Sequence, residues 1–535
     1  MVATEAMDPA QEFEAKCLLR QKAMHEATER GDSTVQKFYR GTTVFVTGGS
    51  GFLGKQFIEK LLRATQVSKV FVLLRSKKGK AIEQRLKEML QDPVYDMVRE
   101  QQPNFADRIV PVAGDVAELR LGLSDTDWSK ITEEVNIIYH MAATTRFDES
   151  LRVATMINVR GAREALVLGK ACKKLVSYVH VSTAYSHACE NLISTLVSED
   201  FYRSPLDPDT LIRLAEDVDE KRLNDITPGL IKNWPNTYSF AKAVSEETVR
   251  TFGDDLPLCV VRPAIVSCAI KEPNPGWVDV SNVYGASGIV LGPGMGIMHA
   301  TLINTIVHLD LVPVDYVNNA ILAAAWETAR RSEAGERSTK VYTLAATKNP
   351  VAWSTLIESM EKIRYVYPSP ASVGYNFTWI TKNATLFWIY SWLLHLIPGY
   401  IIDGICVLLG KERRFVRLYT KMYKMSTALS YFTLNEWSFA NDNTGMLYDN
   451  LSTIDKEIFE FDFSTIDWHE YLVLWCIGLR KYIVKDGLKG SVYAVRKQLV
   501  FRVLMYIFAP IYLYLLYKVF SLVITTLLLP FGMFL

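Results

Sequence analysis

From Thr43 to Thr47 apolar and β-branched residues alternate, three closely spaced glycines follow at once, and KQFIEKLLRA (55–64) then spaces its apolar residues as a helix does. That order predicts strand, tight turn, helix. Further apolar runs recur in βαβ rhythm: KVFVLLR (69–75), RIVPVAGDV (108–116), VNIIYHMAA (135–143), LVSYVHVSTAY (175–185) and LPLCVVRPAIV (256–266). They predict an α/β fold with a Rossmann-type, doubly wound parallel sheet. Toward the C-terminus the pattern changes. Residues 503–535 are almost wholly apolar, and at about 1.5 Å per helical residue they exceed a bilayer core of roughly 30 Å. This predicts a C-terminal membrane anchor. Lys518 and Pro510 interrupt it, so one tilted helix with a snorkelling lysine and a shallow hairpin both fit. Arg496, Lys497 and Arg502 come just before it and place the preceding body on the cytosolic side. A second apolar stretch, 384–410, is punctuated by His395, Pro398, Gly399 and Asp403. It reads as a re-entrant or membrane-facing segment, or as the wall of an apolar tunnel.

Composition narrows this picture. A chain of 535 residues with 49% hydrophobic content is too long for one ordinary core and too apolar to be disordered. A formal net charge of +1 gives no global basic surplus, so nucleic acid is not an expected partner. Seven cysteines are scattered without a CxxC pair, which fits reduced thiols in the cytosol, and no metal is expected. The N-terminal residues carry acids and lack an apolar core, so they do not read as a secretory signal.

Gly48, Gly51 and Gly54 form G-x-x-G-x-x-G at the strand-to-helix turn. Absent side chains there let the backbone approach a pyrophosphate at a helix N-terminus, which implies a dinucleotide. Thr47, Phe52 and Leu53 flank the glycines and join the expected cofactor site. NAD-preferring folds place an acid at the end of the second strand to hold the ribose 2′-hydroxyl. Here that strand ends in Arg75, with Lys77 and Lys78 next and Arg85 one helix further on. Positive charge in that place predicts a 2′-phosphate, hence NADPH. Asp115 after the third strand is a candidate adenine contact, and Ala142 and Ala143 are candidates to pass close under the cofactor; turn chemistry explains each equally well. Pro263 closes the cofactor set. His140, His180 and His187 read as structural histidines.

In NTYSFAKAVSEE, Tyr238 and Lys242 are four apart on an expected helix and project from one face. The phenol can donate a proton to a carbonyl oxygen, while the ammonium lowers the phenol's pKa from about 10 and binds the nicotinamide ribose. Upstream, VSTAYS ends a strand at the sheet's carboxyl edge, where one hydroxyl can help hold that oxygen. Thr183 is the preferred residue and Ser182 the alternative, because strand neighbours face opposite sides.

These residues resemble the extended short-chain dehydrogenase/reductases and, within them, the alcohol-forming fatty acyl-CoA reductases, especially the insect type. FYRGTTVFVTGGSGFLGK is similar to the family's nucleotide motif, and YSFAK to its active-site motif. EPNPGWVDVSN and LVPVDYVNNAIL resemble its substrate-side and closing segments. NEWSFANDNTGMLYDNLSTIDKEIFEFDFSTIDWHEYL (435–472) is similar to its distinctive C-terminal domain, which steroid-type and sugar-nucleotide relatives lack. One departure is YGASGIVLGPGMGIMH, where Met295 stands in place of the family's usual lysine. The resemblance implies reduction of long-chain or very-long-chain acyl-CoA by two NADPH to a fatty alcohol, through an aldehyde and with release of CoA. The apolar tail gives a membrane-lipid setting as the expectation, with the endoplasmic reticulum as the default membrane and the peroxisome or lipid droplet as alternatives. The expected division is a tail (1–32), an NADPH-binding reductase domain (33–370), a mostly helical C-terminal domain (371–488) and the anchor (489–535).

Overall fold

The structure is a computed structural model that describes residues 7–76, 79–283 and 285–528. Seven strands form one wholly parallel sheet: β1 (Thr43–Thr47), β2 (Lys69–Leu74), β3 (Ile109–Ala113), β4 (Ile137–His140), β5 (Ser177–Val181), β6 (Leu258–Pro263) and β7 (Lys340–Leu344). Their order is β7-β6-β5-β4-β1-β2-β3. Every position of β4, β5 and β6 is buried. Parallel strands covered by helices on both faces need such continuous apolar runs, which is why these six segments were readable as strands. The strand order reverses between β1 and β4, and in doubly wound sheets that switch point opens the ligand crevice at the carboxyl ends of the strands.

Before the sheet, within the expected 1–32 tail and just beyond it, lie three helices: α1 (Pro9–Leu19), α2 (Lys22–Arg30) and α3 (Thr34–Tyr39). They strap the N-terminal region to distant parts of the chain. Asp8 accepts hydrogen bonds from the amide and hydroxyl of Ser491 at 2.7 and 2.6 Å, and the Val35 amide donates to Asp455 at 3.0 Å. Helix α4 (Phe52–Ala64) follows β1, α5 (Thr237–Phe252) follows β5, and α6 (Val314–Glu333) follows β6.

Beyond β7 the chain becomes mainly helical. Helix α7 (Ala384–Leu408) and α8 (Phe415–Leu434) form a hairpin, α9 (Trp468–Gly478) packs against the body, and α10 (Ser491–Leu528) is long and apolar. Ser438–Phe439 pairs in parallel with Leu196–Val197. Glu199 then bridges the two regions, accepting from the Thr343 amide at 2.8 Å and the Asn443 amide at 2.5 Å. Tyr471 of α9 donates to the Cys268 carbonyl at 2.7 Å. One contiguous apolar core runs from Ala10 through the sheet to Leu488, so the C-terminal region is built onto the sheet instead of hanging from it.

The glycine turn is sterically obligatory. Gly48 has φ +75°, and a Cβ there would stand 2.7 Å from the Ala142 amide nitrogen. A Cβ on Gly54 would stand 2.3 Å from the Gly48 carbonyl oxygen and 2.6 Å from the Gly49 Cα. Both obstacles are backbone, so neither can rotate away. Gly54→Ala is therefore expected to displace the turn and lower stability by about 1–3 kcal/mol. It should weaken dinucleotide binding by more than that loss accounts for; thermal unfolding and cofactor titration of the same variant check both, and unaltered cofactor affinity would refute the close-approach argument.

Candidate active site

Gly51 caps α4 with no side-chain hydrogen bond and no acid in the first turn. Among the described residues no side chain accepts from the first amides of that helix, and this positive end suits a pyrophosphate. The cradle that a Cβ would fill at Gly48 and Gly54 fits the same group. Phe52, at the head of α4, stacks on Trp277 with ring centroids 5.3 Å apart, and the Leu53 carbonyl accepts from Asn318 at 3.0 Å. The segment carrying Trp277 is held down on α4 by charge. Lys55 pairs with Asp279 at 2.5 Å and Asp92 at 2.8 Å, while Lys60 and Arg63 both reach Glu272, at 2.5 and 2.6 Å.

At the neighbouring strand ends, Arg75 lies 3.7 Å from the Asp115 carboxylate, and Arg85 donates to the Arg75 carbonyl. Three of the residues assigned to the adenosine end therefore meet at the carboxyl ends of β2 and β3. Lys77, assigned with them, lies outside the described residues. On the other side of the switch point, the Ala142 amide donates to the Thr47 hydroxyl oxygen at 3.2 Å, and Ala143 follows directly in the same turn after β4.

Thr47 differs from the expectation for a cofactor ligand. Its side chain is fully buried, 3.0 Å from His140 Nδ1, and its oxygen also accepts the Met141 amide at 3.2 Å. The hydroxyl is committed to fixing the β4 turn, which leaves any cofactor contact at this position to the backbone.

Asn236 caps α5, its side chain accepting from the Ser239 amide at 2.9 Å, and this starts the helix one residue before Tyr238. The structure brings Tyr238, Thr183 and Lys242 together. The Thr183 hydroxyl lies near enough to Tyr238 to lower the phenol's pKa, and it donates to the Pro263 carbonyl at 3.3 Å. Ser182 points the other way and donates to Glu246 at 2.5 Å. Of the two adjacent hydroxyls, Thr183 is the one beside the tyrosine. Lys242 is buried and donates to the Val181 carbonyl at 2.8 Å.

The expected lowering of the phenol's pKa by the ammonium is not what the structure produces. Burial pushes Tyr238 up to about 12, against a smaller lowering by the nearby Thr183 hydroxyl. Burial also pulls Lys242 down to about 8, partly offset by the Glu246 carboxylate. The charged form of each group is disfavoured by the same loss of water. The phenol therefore stays protonated at neutral pH, as a proton donor must.

Sequence reasoning missed two contributors. Glu246, one turn past Lys242, is buried and gathers Arg262 at 2.6 Å, His187 at 3.2 Å and the hydroxyls of Ser182 and Ser186. Arg262 and His187 hold its carboxyl well below the usual range despite burial. The i, i+4 spacing from Lys242 was its available signal. The second is an aromatic wall: Phe147 stacks near Tyr238 with centroids 5.9 Å apart and meets Phe432 at 5.4 Å. Tyr185 contacts Phe432 at 5.2 Å and Phe439 at 5.1 Å. Phe432 ends α8, so the C-terminal region furnishes part of the site.

A Rossmann-type sheet, a dinucleotide cradle at its switch point and a Tyr-x-x-x-Lys pair beside a strand-end hydroxyl define an NAD(P)-dependent oxidoreductase. Comparisons agree and go further. The family described as "Male sterility protein" matches residues 46–321 through its NAD-binding part and residues 394–486 through a second, Sterile part. "Fatty acyl-CoA reductase wat" of Drosophila melanogaster is 37% identical over 458 residues, covering 85% of this chain and 87% of that protein. "Fatty acyl-CoA reductase 1" is 35% identical in Xenopus laevis, over 91% of this chain and 93% of that protein, and 35% identical in Homo sapiens, over 87% and 89%. The chain belongs to the fatty acyl-CoA reductase family. Among solved structures, the terminal R domain of the myxalamid PKS-NRPS pathway shares the fold with a TM-score of 0.56 at 19% identity, over 82% of this chain and 91% of that one. The R domain of a non-ribosomal peptide synthetase from Mycobacterium tuberculosis gives 0.52 at 16%, over 90% and 99%.

If Lys242 holds the nicotinamide ribose as an ammonium, burial having pulled its pKa down to about 8, kcat/KM for the nicotinamide cofactor is expected to fall as pH rises through that value. Glu246→Gln removes the charge that raises Lys242 and should move this alkaline limb to lower pH. It also leaves Arg262 buried without its partner, for a stability loss of about 3–5 kcal/mol. A pH–rate profile with the limb unmoved would show that Glu246 does not act on Lys242.

Proposed function

We propose that this protein reduces long-chain or very-long-chain fatty acyl-CoA to the fatty alcohol, consuming two NADPH and releasing CoA as the free thiol. The observation that carries this reading is the aromatic wall of Phe147, Phe432 and Tyr185, whose Phe147 ring stacks near that of Tyr238. An acyl chain is matched to such a wall, whereas a sugar would need buried polar partners there.

A nicotinamide cofactor held at the cradle of Gly48 and Gly54 would supply the hydride that the acyl carbon takes in each of two rounds. In the first, Tyr238 and Thr183 stabilise the negative charge that develops on the thioester oxygen. Collapse of the resulting thiohemiacetal breaks the carbon–sulfur bond and leaves an aldehyde, with no protein nucleophile involved. In the second, Tyr238 gives its proton to the aldehyde oxygen, and the alcohol results. Lys242 holds the nicotinamide ribose and is itself fixed by the Val181 carbonyl. Arg75 and Arg85 offer the positive charge that a 2′-phosphate needs, which favours NADPH over NADH. Helix α10, apolar beyond Arg502 apart from Lys518 and not buried in the body, supports a membrane anchor with the reductase body facing the cytosol. The endoplasmic reticulum is the default membrane.

Tyr238→Phe is expected to keep NADPH binding near its original affinity while alcohol formation drops by about 10²-fold or more. Product analysis by gas chromatography with matched cofactor titration checks it, and alcohol formed at close to the parent rate would remove Tyr238 from the chemistry. Arg75→Asp sets a second carboxylate beside Asp115 and should move the NADPH-to-NADH ratio of kcat/KM by about tenfold or more toward NADH. A ratio that does not change would place the 2′-phosphate elsewhere.

A further inference from the structure

The α7–α8 hairpin carries chemistry that neither catalysis nor the anchor uses. Along α7, Trp388, Ile389, Trp392, Ile401, Ile405 and Leu408 are exposed, Leu408 at 86%. Soluble surfaces scatter such residues singly, while a contiguous set on one element marks a contact with something apolar. The hairpin is rigidly closed, so this face cannot turn inward. The Asp403 carboxylate accepts the amides of Arg414, Phe415 and Val416 at 2.9, 3.0 and 3.0 Å, and Gly399 admits the Tyr419 ring so closely that a Cβ would stand 2.9 Å from it.

Two observations say what covers the face. The first is continuity. Tyr512 of α10 donates to the Leu393 carbonyl at 2.7 Å, which ties the hairpin to a point well inside the apolar run that begins after Arg502. A bilayer that accepts α10 thus meets α7 beside it. The second is charge. Immediately past Leu408 and Leu409, the stretch KERRFVRLYTKMYK (411–424) holds six basic residues against one acid, Glu412. Lys411, Arg413, Arg414, Arg417 and Lys421 are all exposed. Apolar and tryptophan-rich surface bordered by a basic cluster is the pattern of a segment lying in the interface of an anionic leaflet.

We infer that the α7–α8 hairpin is a second membrane contact, distinct from the α10 anchor, which lays the exposed face of α7 into a leaflet and sets the 411–421 cluster against anionic lipid headgroups. Helix α8 runs from that cluster to Phe432 in the aromatic wall, so one rigid element joins the lipid surface to the site.

The full-length protein, reconstituted in phosphatidylcholine vesicles with or without phosphatidylserine, tests this. An environment-sensitive fluorescent amino acid is placed at Ile401, Ile405 or Leu408, with exposed Glu220 as the control position, and quenching by lipids brominated in the acyl chain is read. Quenching at the three hairpin positions but not at 220 is expected, several-fold stronger at Leu408 when phosphatidylserine is present. The combined Arg413→Gln, Arg414→Gln and Arg417→Gln variant should lose that enhancement while NADPH affinity, which reports an intact fold, is unchanged. Hairpin probes quenched no more than position 220 overturn the proposal, as do probes shielded by a second copy of the chain, read as energy transfer between labelled protomers. Quenching indifferent to phosphatidylserine overturns the headgroup assignment. None of these readings depends on turnover, so their failure is separable from failure of the proposed reaction.

Discussion

The arrangement of the site depends on one buried carboxylate. Glu246 lies on the catalytic helix, but its partners come from elsewhere: Ser182 from the end of β5, Ser186 and His187 from the turn that follows, and Arg262 from β6. Burying an ion without partners is costly. Here Arg262 approaches with two nitrogens, at 3.0 and 2.6 Å, and the hydroxyls and imidazole fill the remaining acceptor positions. Arg262 in turn donates to the carbonyls of Ser198 and Asp200. Helix, strand end and following loop are thereby fixed to one another. Because Ser182 is held on the Glu246 side, the alternation of the extended backbone delivers Thr183 to the tyrosine side.

A second ionic cluster does the same for the opposite wall. Glu272 binds Lys60 and Arg63 of α4, and Glu59 shares Arg63 at 2.7 Å, all four side chains being essentially inaccessible to water. Asn319 of α6 also donates to Glu272 at 3.2 Å, and Asp315 of α6 accepts three successive amides, from Ile270 to Glu272. The helix that presents its N-terminus to the dinucleotide therefore cannot shift without carrying the Trp277 segment along. Fixed dipoles at a developing charge are effective because they need no reorganisation when it appears, and the two clusters supply that rigidity from opposite sides.

The parts legible in the sequence were those set by short-range rules. Six strands, the glycine turn and the Tyr238–Lys242 helix follow from period, sterics and spacing within windows of a few residues. What lay hidden depends on pairing across long separations. The inward turn of Thr47 is decided by His140, 93 residues away. The helices within the first 39 residues are secured by Asp455 and Ser491, and nothing local announces those partners. The aromatic wall joins Phe147 to Phe432 across the whole reductase fold. Lys242 and Glu246 stand four residues apart in one motif, yet the ring of groups around Glu246 appears only once β5 and β6 are neighbours.

The same burial explains why the phenol's pKa moved in the direction opposite to the local expectation. An ammonium four residues from a phenol stabilises the phenolate only if it faces the oxygen and stays charged. In the fold, Lys242 directs its ammonium to the Val181 carbonyl, and the withdrawal of water that raises Tyr238 lowers Lys242. For a reductase that must deliver a proton to a carbonyl oxygen, a firmly protonated phenol is the useful state, and its affinity for that proton has to be overcome by the more basic alkoxide that forms as hydride arrives. Thr183 lowers the phenol's pKa, a smaller effect that opposes burial without cancelling it. On the proposed reaction, burial keeps the tyrosine protonated at rest, and an ammonium turned to the Val181 carbonyl serves orientation more than acidity.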